Sequence, residues 1–326
     1  MTILVTGGAG YIGSHTVREL LRMNRRVVVL DSLIRGNRSN VPREVPLEEA
    51  DICDNDTVAE ICRRHGVETV VHFAAYKSAG ESMEKPGLYW RNNVYGTAQL
   101  VEGMLAAGTK KLVFSSSAAV YGNPERLPID ESAAIRPENV YAETKAMMER
   151  LISWYSVTND LRWVSLRYFN AAGASSDSSL GEDWSITTNL IPLVMKAALG
   201  VSGPVRVLGN DYPTPDGTGV RDFVHVEDLA SAHVAAIDYL QAGGKNSTFN
   251  LGTGEGYSVL EVIRTVENLS QLSVPHVFVD RRPGDPAIVY ADPNLAQSQL
   301  GWRARYGLSR IIETALRWYS KSREVG

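Results

Sequence analysis

The sequence predicts an α/β protein built on a doubly wound, parallel sheet, with a smaller mixed unit in its second half. Three observations carry this. Short apolar runs alternate with amphipathic stretches through the first half of the chain, and a glycine-rich turn joins the first run to the first such stretch. The second half is less regular, broken by loops rich in Gly, Ser, Asp and Pro. Strands that alternate with helices imply right-handed crossovers and parallel pairing.

The elements follow in order. Ile3–Thr6 is a short apolar run, the pattern of a buried strand. Gly7, Gly10 and Gly13 come next, with Tyr11 and Ile12 between the last two, and Ser14–Met23 continues with Val17, Leu20 and Leu21 at helical intervals. Glycines at this spacing allow a tight turn and let the backbone approach a pyrophosphate, which the helix N-terminus then stabilises. Val27–Asp31 is the second strand, and Asp31 stands at its end, 18 residues after Gly13. An acid there accepts hydrogen bonds from both ribose hydroxyls and repels a 2′-phosphate, so the spacing predicts NAD rather than NADP, although Arg35 and Arg38 lie near. An ordinary glycine turn with a surface Asp would not require strand, turn, helix, strand and acid in this order.

Further strands are predicted at Glu48–Ala50, Thr69–Phe73, Lys111–Ser115 and Trp163–Tyr168, with helices at Asp54–His65, Leu88–Ala106 and Tyr141–Ser156. Beyond them, Gly173–Asp183 and Gly209–Gly219 read as long loops, which in compact domains are often functional. Asp222–Val226 then reads as a strand leading into a helix over Glu227–Leu240.

Composition narrows the classes. The 326 residues suffice for one large or two moderate domains, and 44% hydrophobic with 21% charged residues is ordinary for a globular protein. A net charge of −4 argues against a nucleic-acid or membrane-surface role. Cys53 and Cys62 form no Cys-x-x-Cys, so two reduced thiols in a cytosol are expected, with no zinc site. No apolar run approaches the roughly 20 residues that span a bilayer. Met1–Val5 already reads as strand, so no leader peptide is expected. No His, Asp or Glu cluster has metal-ligand spacing, and His225, alone in a Val-rich strand, reads as a structural residue.

Tyr141 and Lys145, inside Tyr-Ala-Glu-Thr-Lys, carry the chemistry. Positions i and i+4 share a helix face, so the ammonium is expected beside the phenol, lowering a pKa that is otherwise about 10. A phenolate near neutral pH is a general base for a sugar or alcohol hydroxyl. Ser115, Ser116 and Ser117 end a strand at the sheet edge where open α/β folds bind ligands.

Together, Thr6-Gly-Gly-Ala-Gly-Tyr-Ile-Gly13, Phe114-Ser-Ser-Ser-Ala-Ala-Val-Tyr-Gly122, Tyr141-x-x-x-Lys145, Arg167-Tyr-Phe-Asn170 and Arg221-Asp-Phe-Val-His225 resemble the extended short-chain dehydrogenase/reductase superfamily, and within it the UDP-hexose 4-epimerases. The resemblance runs to about Trp318. It implies a Rossmann-type NAD-binding domain over 1–169, rejoined by about 220–240, and a substrate domain over 170–326. It implies that Tyr141, Lys145 and Ser117 are catalytic. Around NAD it places Gly7, Gly10, Tyr11, Ile12, Gly13 and Asp31, then Asp51 and Ile52 at the adenine. Phe73, Ala74, Ala75 and Lys77 fall beside the pyrophosphate, and Asn92, Ser115 and Tyr168 also fall near the cofactor, with Lys145 bonding the nicotinamide ribose. For a UDP-sugar it implies Lys77, Ser117, Tyr141, Asn170 and Asn189, with Arg221 as a diphosphate clamp and Arg282 and Asp285 as further phosphate and ribose contacts. Val289, four residues after Asp285, falls where a tyrosine in some members excludes N-acetyl sugars, with Tyr290 next to it.

Ala118 and Ala119 occupy the positions where dehydratases of the superfamily carry an acid and a base, which argues against elimination. The resemblance further implies a cytoplasmic homodimer paired through Leu88–Ala106 and Tyr141–Ser156. The latter carries Met147, Met148, Leu151, Ile152, Trp154 and Tyr155 as apolar surface beyond what its own sheet can cover. Two other readings stay open: a 4-epimerase of another UDP sugar, a pentose or uronic acid, and a non-catalytic NAD-binding regulator, which would be expected to lose Tyr141 or Lys145.

Overall fold

The computed structural model describes residues 1–185, 187–282 and 284–324. The first half runs β1 (Thr2–Thr6), α1 (Tyr11–Arg22), β2 (Arg26–Asp31), β3 (Leu47–Glu49), α2 (Asn55–His65), β4 (Val67–His72), α3 (Ala79–Glu84), α4 (Pro86–Tyr89), a π-helical segment Trp90–Tyr95, α5 (Gly96–Ala106), β5 (Lys111–Ser117), α6 (Val140–Asn159) and β6 (Arg162–Tyr168). The second half continues with β7 (Asn170–Ala172), α7 (Leu190–Ala198), β8 (Val205–Leu208), β9 (Val220–Arg221), β10 (Phe223–His225), α8 (Val226–Gln241) and β11 (Ser247–Leu251). Then come β12 (Tyr257–Ser258), α9 (Val259–Ser270), β13 (His276–Val279), β14 (Ile288–Val289), α10 (Asn294–Leu300) and α11 (Leu308–Glu324).

Seven strands form one sheet in the order β11-β6-β5-β4-β1-β2-β3, and every pair is parallel. The doubly wound prediction is borne out. The order turns between β1 and β4, the point at which open α/β sheets bind ligands beyond their strand ends. Alternation divides the core between the two faces. Ile3, Val5, Val27 and Val29 belong to one cluster, while Leu4, Val28 and Leu30 belong to another on the opposite face. All are buried, each worth about 1.5–3 kcal/mol relative to exposure.

Capping chemistry fixes the helices that matter to the site. Asn139 caps α6, its side chain accepting from the Ala142 amide at 2.9 Å, and Ser82 Oγ accepts from the free Tyr141 amide at 3.1 Å. The first turn of α6 is therefore held from two sides. The single helix expected over Leu88–Ala106 is instead three segments: α4, the π turn and α5. Asn93 explains the wider turn. It is buried, and its side chain binds Tyr76 N and O and Thr144 Oγ1, tying the turn to α6 and to the loop after β4.

The sequence places the return to the first domain at about 220–240, and the strand that rejoins the large sheet comes after that stretch. The strand Phe223–His225 pairs with β7 in its own small parallel sheet, and α8 packs on α1, but β11 then joins β6 as the last strand of the large sheet. A separate core under α7, α9 and α11 contains Ile191, Val194, Val262, Val266 and Ile311, covered by β8–β13 and the β12-β9-β14 sheet.

Candidate active site

The turn after β1 shows why glycine is needed there. Gly7 has φ +71, and a Cβ on it would lie 2.6 Å from Ala74 N. A Cβ on Gly13 would lie 2.3 Å from Gly7 O. The turn thus packs backbone on backbone, with Phe73 and Ala74 of the β4 loop directly against it, and Gly10 at the N-terminus of α1 opens the helix toward the crevice. Ile12 packs on the core, and Tyr11 OH donates to Gly173 O at 2.6 Å, bridging to the second half.

Asp31 ends β2 within this turn. Its carboxylate accepts from Ala9 N and Leu33 N, both at 2.9 Å, while burial raises its pKa. Arg35 is drawn aside, paired with Glu81 at 3.0 Å and lying 5.6 Å from the Tyr76 ring centre. Asp51 is exposed, and Ile52 is buried beneath Gly96. Asn92 donates to Asn93 at 3.0 Å; Ala75 is half-buried in the β4 loop, and Lys77 reaches Glu182 at 2.9 Å. Cradle, acid and flanking loops fit a dinucleotide without a 2′-phosphate.

The catalytic candidates converge from three elements. The β5–β6 register sets Ser117 opposite Tyr168, and Ser115 Oγ donates to Tyr168 OH at 3.1 Å. Tyr141 and Lys145 lie on the buried face of α6. Lys145 Nζ donates to Ser115 O at 2.7 Å and sits 4.9 Å from the Phe114 ring centre. Ser117 lies beside the phenol.

Here the electrostatics correct the sequence expectation. Burial pushes the Tyr141 phenol well above its ordinary value, Tyr168 adds to the rise, and Ser117 rather than Lys145 offsets part of it. Burial also brings Lys145 down to about 7, with Glu149 the group that holds it up. Helical spacing puts the two on one face, but desolvation outweighs their attraction.

Beneath these groups runs a buried ion pair. Glu149, two turns beyond Tyr141, accepts from Arg167 at 2.9 and 2.5 Å and from Ser116 at 2.6 Å, and Arg167 continues to Tyr121 OH at 2.9 Å. Sequence reasoning missed Glu149; its place in the register Tyr141, Lys145, Glu149 was the available signal.

On the substrate side, Asn170 begins β7 with its side chain exposed, and Asn189 stands at the N-cap position of α7. Arg221 is half-buried on β9 and makes no bond to Asp222, which instead accepts from Thr253, Gly254 and Ala291. Burial depresses the Arg221 guanidinium, Asp285 and Tyr212 oppose this, and Arg282 reinforces it, so Arg221, Arg282 and Asp285 form one charged group. Two cations close enough to repel suit an anionic ligand. Val289 pairs with Arg221 across β14–β9, placing it at this group, while Tyr290 faces Gly256 and its carbonyl accepts from Ile129 N. His225 is structural: it caps α8 through Nδ1 and meets Thr314 through Nε2.

A nucleotide cradle at the sheet's switch point beside a buried Tyr–Lys–Ser group defines a class, and the chain belongs to it: the NAD dependent epimerase/dehydratase family, whose model matches residues 3–252. The relatives are more specific. A UDP-glucose 4-epimerase of Lactobacillus helveticus is 44% identical over 320 residues, 98% of this chain and 97% of that protein. The UDP-glucose 4-epimerase structure from Stenotrophomonas maltophila, with bound NAD and formylated UDP-arabinopyranose, superposes with a TM-score of 0.98 at 41% identity over all of both chains. That from Bifidobacterium longum, with NAD+ and UDP, gives 0.93 at 40% identity, covering 99% of each chain.

Proposed function

We infer that this chain interconverts UDP-glucose and UDP-galactose with NAD as its cofactor, by oxidising C4, turning the 4-keto sugar and reducing it again. The convergence of Tyr141, Lys145 and Ser117 at the strand ends facing the glycine cradle carries the reading, and likeness to the 4-epimerases over nearly the whole chain supports it. NAD, which the glycine turn and Asp31 would hold, would supply reversible hydride transfer at C4. Tyr141 takes the proton from the 4-hydroxyl and gives it back, with Ser117 as relay. Its raised pKa makes a nearby positive charge necessary for the phenolate, and Lys145 contributes one only in its protonated form. Arg221 and Arg282 hold the diphosphate, so the sugar can turn without leaving. Lys77, Asn170 and Asn189 contact the nucleotide sugar, and Asp285 the ribose.

Val289 presents no ring where a tyrosine would narrow the pocket, so N-acetylated UDP sugars are also substrates in this reading. Residues 1–169 with the returning stretch through Leu251 form the cofactor unit, and the rest forms the substrate unit. The molecule pairs through the π turn and α6, where Tyr95, Met147, Trp154 and Val157 are exposed. Met148 and Ile152, expected on that face, lie in the core instead. A cytosolic location suits the two unpaired thiols.

The test is incubation of purified protein with UDP-galactose and no added NAD. UDP-glucose should appear, and its absence from NAD-loaded protein refutes the reading. Sedimentation at micromolar concentration should give about twice 35.7 kDa; a monomer mass refutes the pairing.

A further inference from the structure

The loop between β7 and α7 buries a carboxylate that belongs to no motif. Glu182 is 5% exposed. Its Oε1 accepts from Asn189 Nδ2 at 2.8 Å, Lys77 Nζ at 2.9 Å and Thr187 Oγ1 at 3.0 Å, and its Oε2 from Asn189 Nδ2 at 3.1 Å. Trp318 of α11 donates to its backbone carbonyl at 3.1 Å and holds the residue from behind. Burying a carboxylate is expensive unless its partners are good. The partners here come from both halves: Lys77 from the loop after β4, Asn189 from the start of α7. Asn189 occupies a helix N-cap yet makes no capping bond with its side chain. It forgoes a contact usually worth about 1 kcal/mol and binds Glu182 instead.

We propose that Glu182 is a positioning residue that sets Lys77 and Asn189 at a common spacing for the diphosphate and sugar. The proposal rests on the reading above of those two residues as ligand contacts. Lys77 has a long side chain, 61% exposed, and without an anchor it samples many rotamers. Held by Glu182, it keeps two ammonium hydrogens for a ligand phosphate and loses little freedom when one arrives. The carboxylate thus couples a residue of the cofactor side to one of the substrate side.

A double-mutant cycle on the full chain, loaded with NAD, tests this, with calorimetric UDP binding and melting temperature as readouts. Glu182→Gln keeps the shape but loses the charge that holds Lys77, and should weaken UDP binding about tenfold. Lys77→Met should weaken it similarly, and the double variant should lose clearly less than the product of the two single losses, because both remove the Lys77–Glu182 contact while only Glu182→Gln also disturbs Asn189. Glu182→Asp, retaining charge with a shorter reach, should fall between Gln and wild type, and serves if Gln folds poorly. Losses that multiply in the double variant, or a lowered melting temperature with unchanged UDP binding, overturn the proposal and leave Glu182 a packing residue. UDP binding reports on it whatever the turnover of UDP-galactose, so its failure is distinct from failure of the epimerase reading.

Discussion

Glu149→Gln should be among the more damaging conservative substitutions in this protein, through its pairing with Arg167. The Glu149 and Arg167 side chains are 11% and 8% exposed, and their guanidinium–carboxylate bonds are 2.9 and 2.5 Å long. Replacing the carboxylate by an amide strands a guanidinium in the core. Removing one partner of a buried pair costs about 3–5 kcal/mol, and since an amide oxygen still accepts one bond, the lower end, about 3 kcal/mol, applies. For a chain of 326 residues each kcal/mol is worth roughly 1–2 °C, so the melting temperature should fall by about 3–6 °C. Differential scanning at pH 7 and a fixed scan rate measures it. The double variant Glu149→Leu with Arg167→Met removes both charges and should melt higher than Glu149→Gln alone, since well-packed apolar replacements of buried pairs are often neutral or better. A single variant within about 2 °C of wild type, or a double variant melting below it, would refute the reasoning.

Other substitutions separate chemistry from stability. Tyr141→Phe should keep fold and bound NAD but lose 10²–10⁴-fold in turnover, the usual worth of a positioned acid–base; more than about a tenth of wild-type rate remaining would end the phenolate mechanism. Lys145→Met should slow turnover yet raise the melting temperature at pH 6. The folded pKa of about 7 lies below the ordinary 10.5, so between those values the unfolded chain holds a proton that the folded chain has released. Stability from this site therefore grows as pH climbs through that window, and the gain from Lys145→Met should be largest below pH 7 and fade toward 10.5. A gain that increases with pH contradicts this. Val289→Tyr should suppress turnover of UDP-N-acetylgalactosamine and spare UDP-galactose; a wild-type protein inert toward the acetamido sugar sinks that idea.

What was legible in the sequence is what local chemistry determines. The apolar runs at Ile3–Thr6 and Val27–Asp31, the three glycines and Asp31 needed only spacing, and the structure closes them into one turn. β11 was missed because Ser-Thr-Phe-Asn-Leu carries little apolar signal, and its place beside β6 depends on where α8 delivers it. The π turn depended on Asn93 finding Tyr76 and Thr144, contacts no periodicity reveals. The sign of the Tyr141 shift was misread for a related reason. Spacing says which residues share a helix face, but how much water reaches them, and that Ser115 O binds Lys145, are properties of the packed whole. Glu182 lies in a loop, where side-chain convergence is set by tertiary structure alone.

The position of β11 has a consequence for how the protein is made. Its partner β6 ends at Tyr168, and β11 begins at Ser247, roughly eighty residues later. At ribosomal speeds of about 5–20 residues per second, those residues take roughly 4–16 s to synthesise. For that interval the nascent chain can hold six strands with the ladder edge of β6 unsatisfied, a row of backbone donors and acceptors that another nascent chain can pair with. The last strand of the cofactor sheet is therefore also its lid against aggregation, and it arrives only after about half of the second half has been translated.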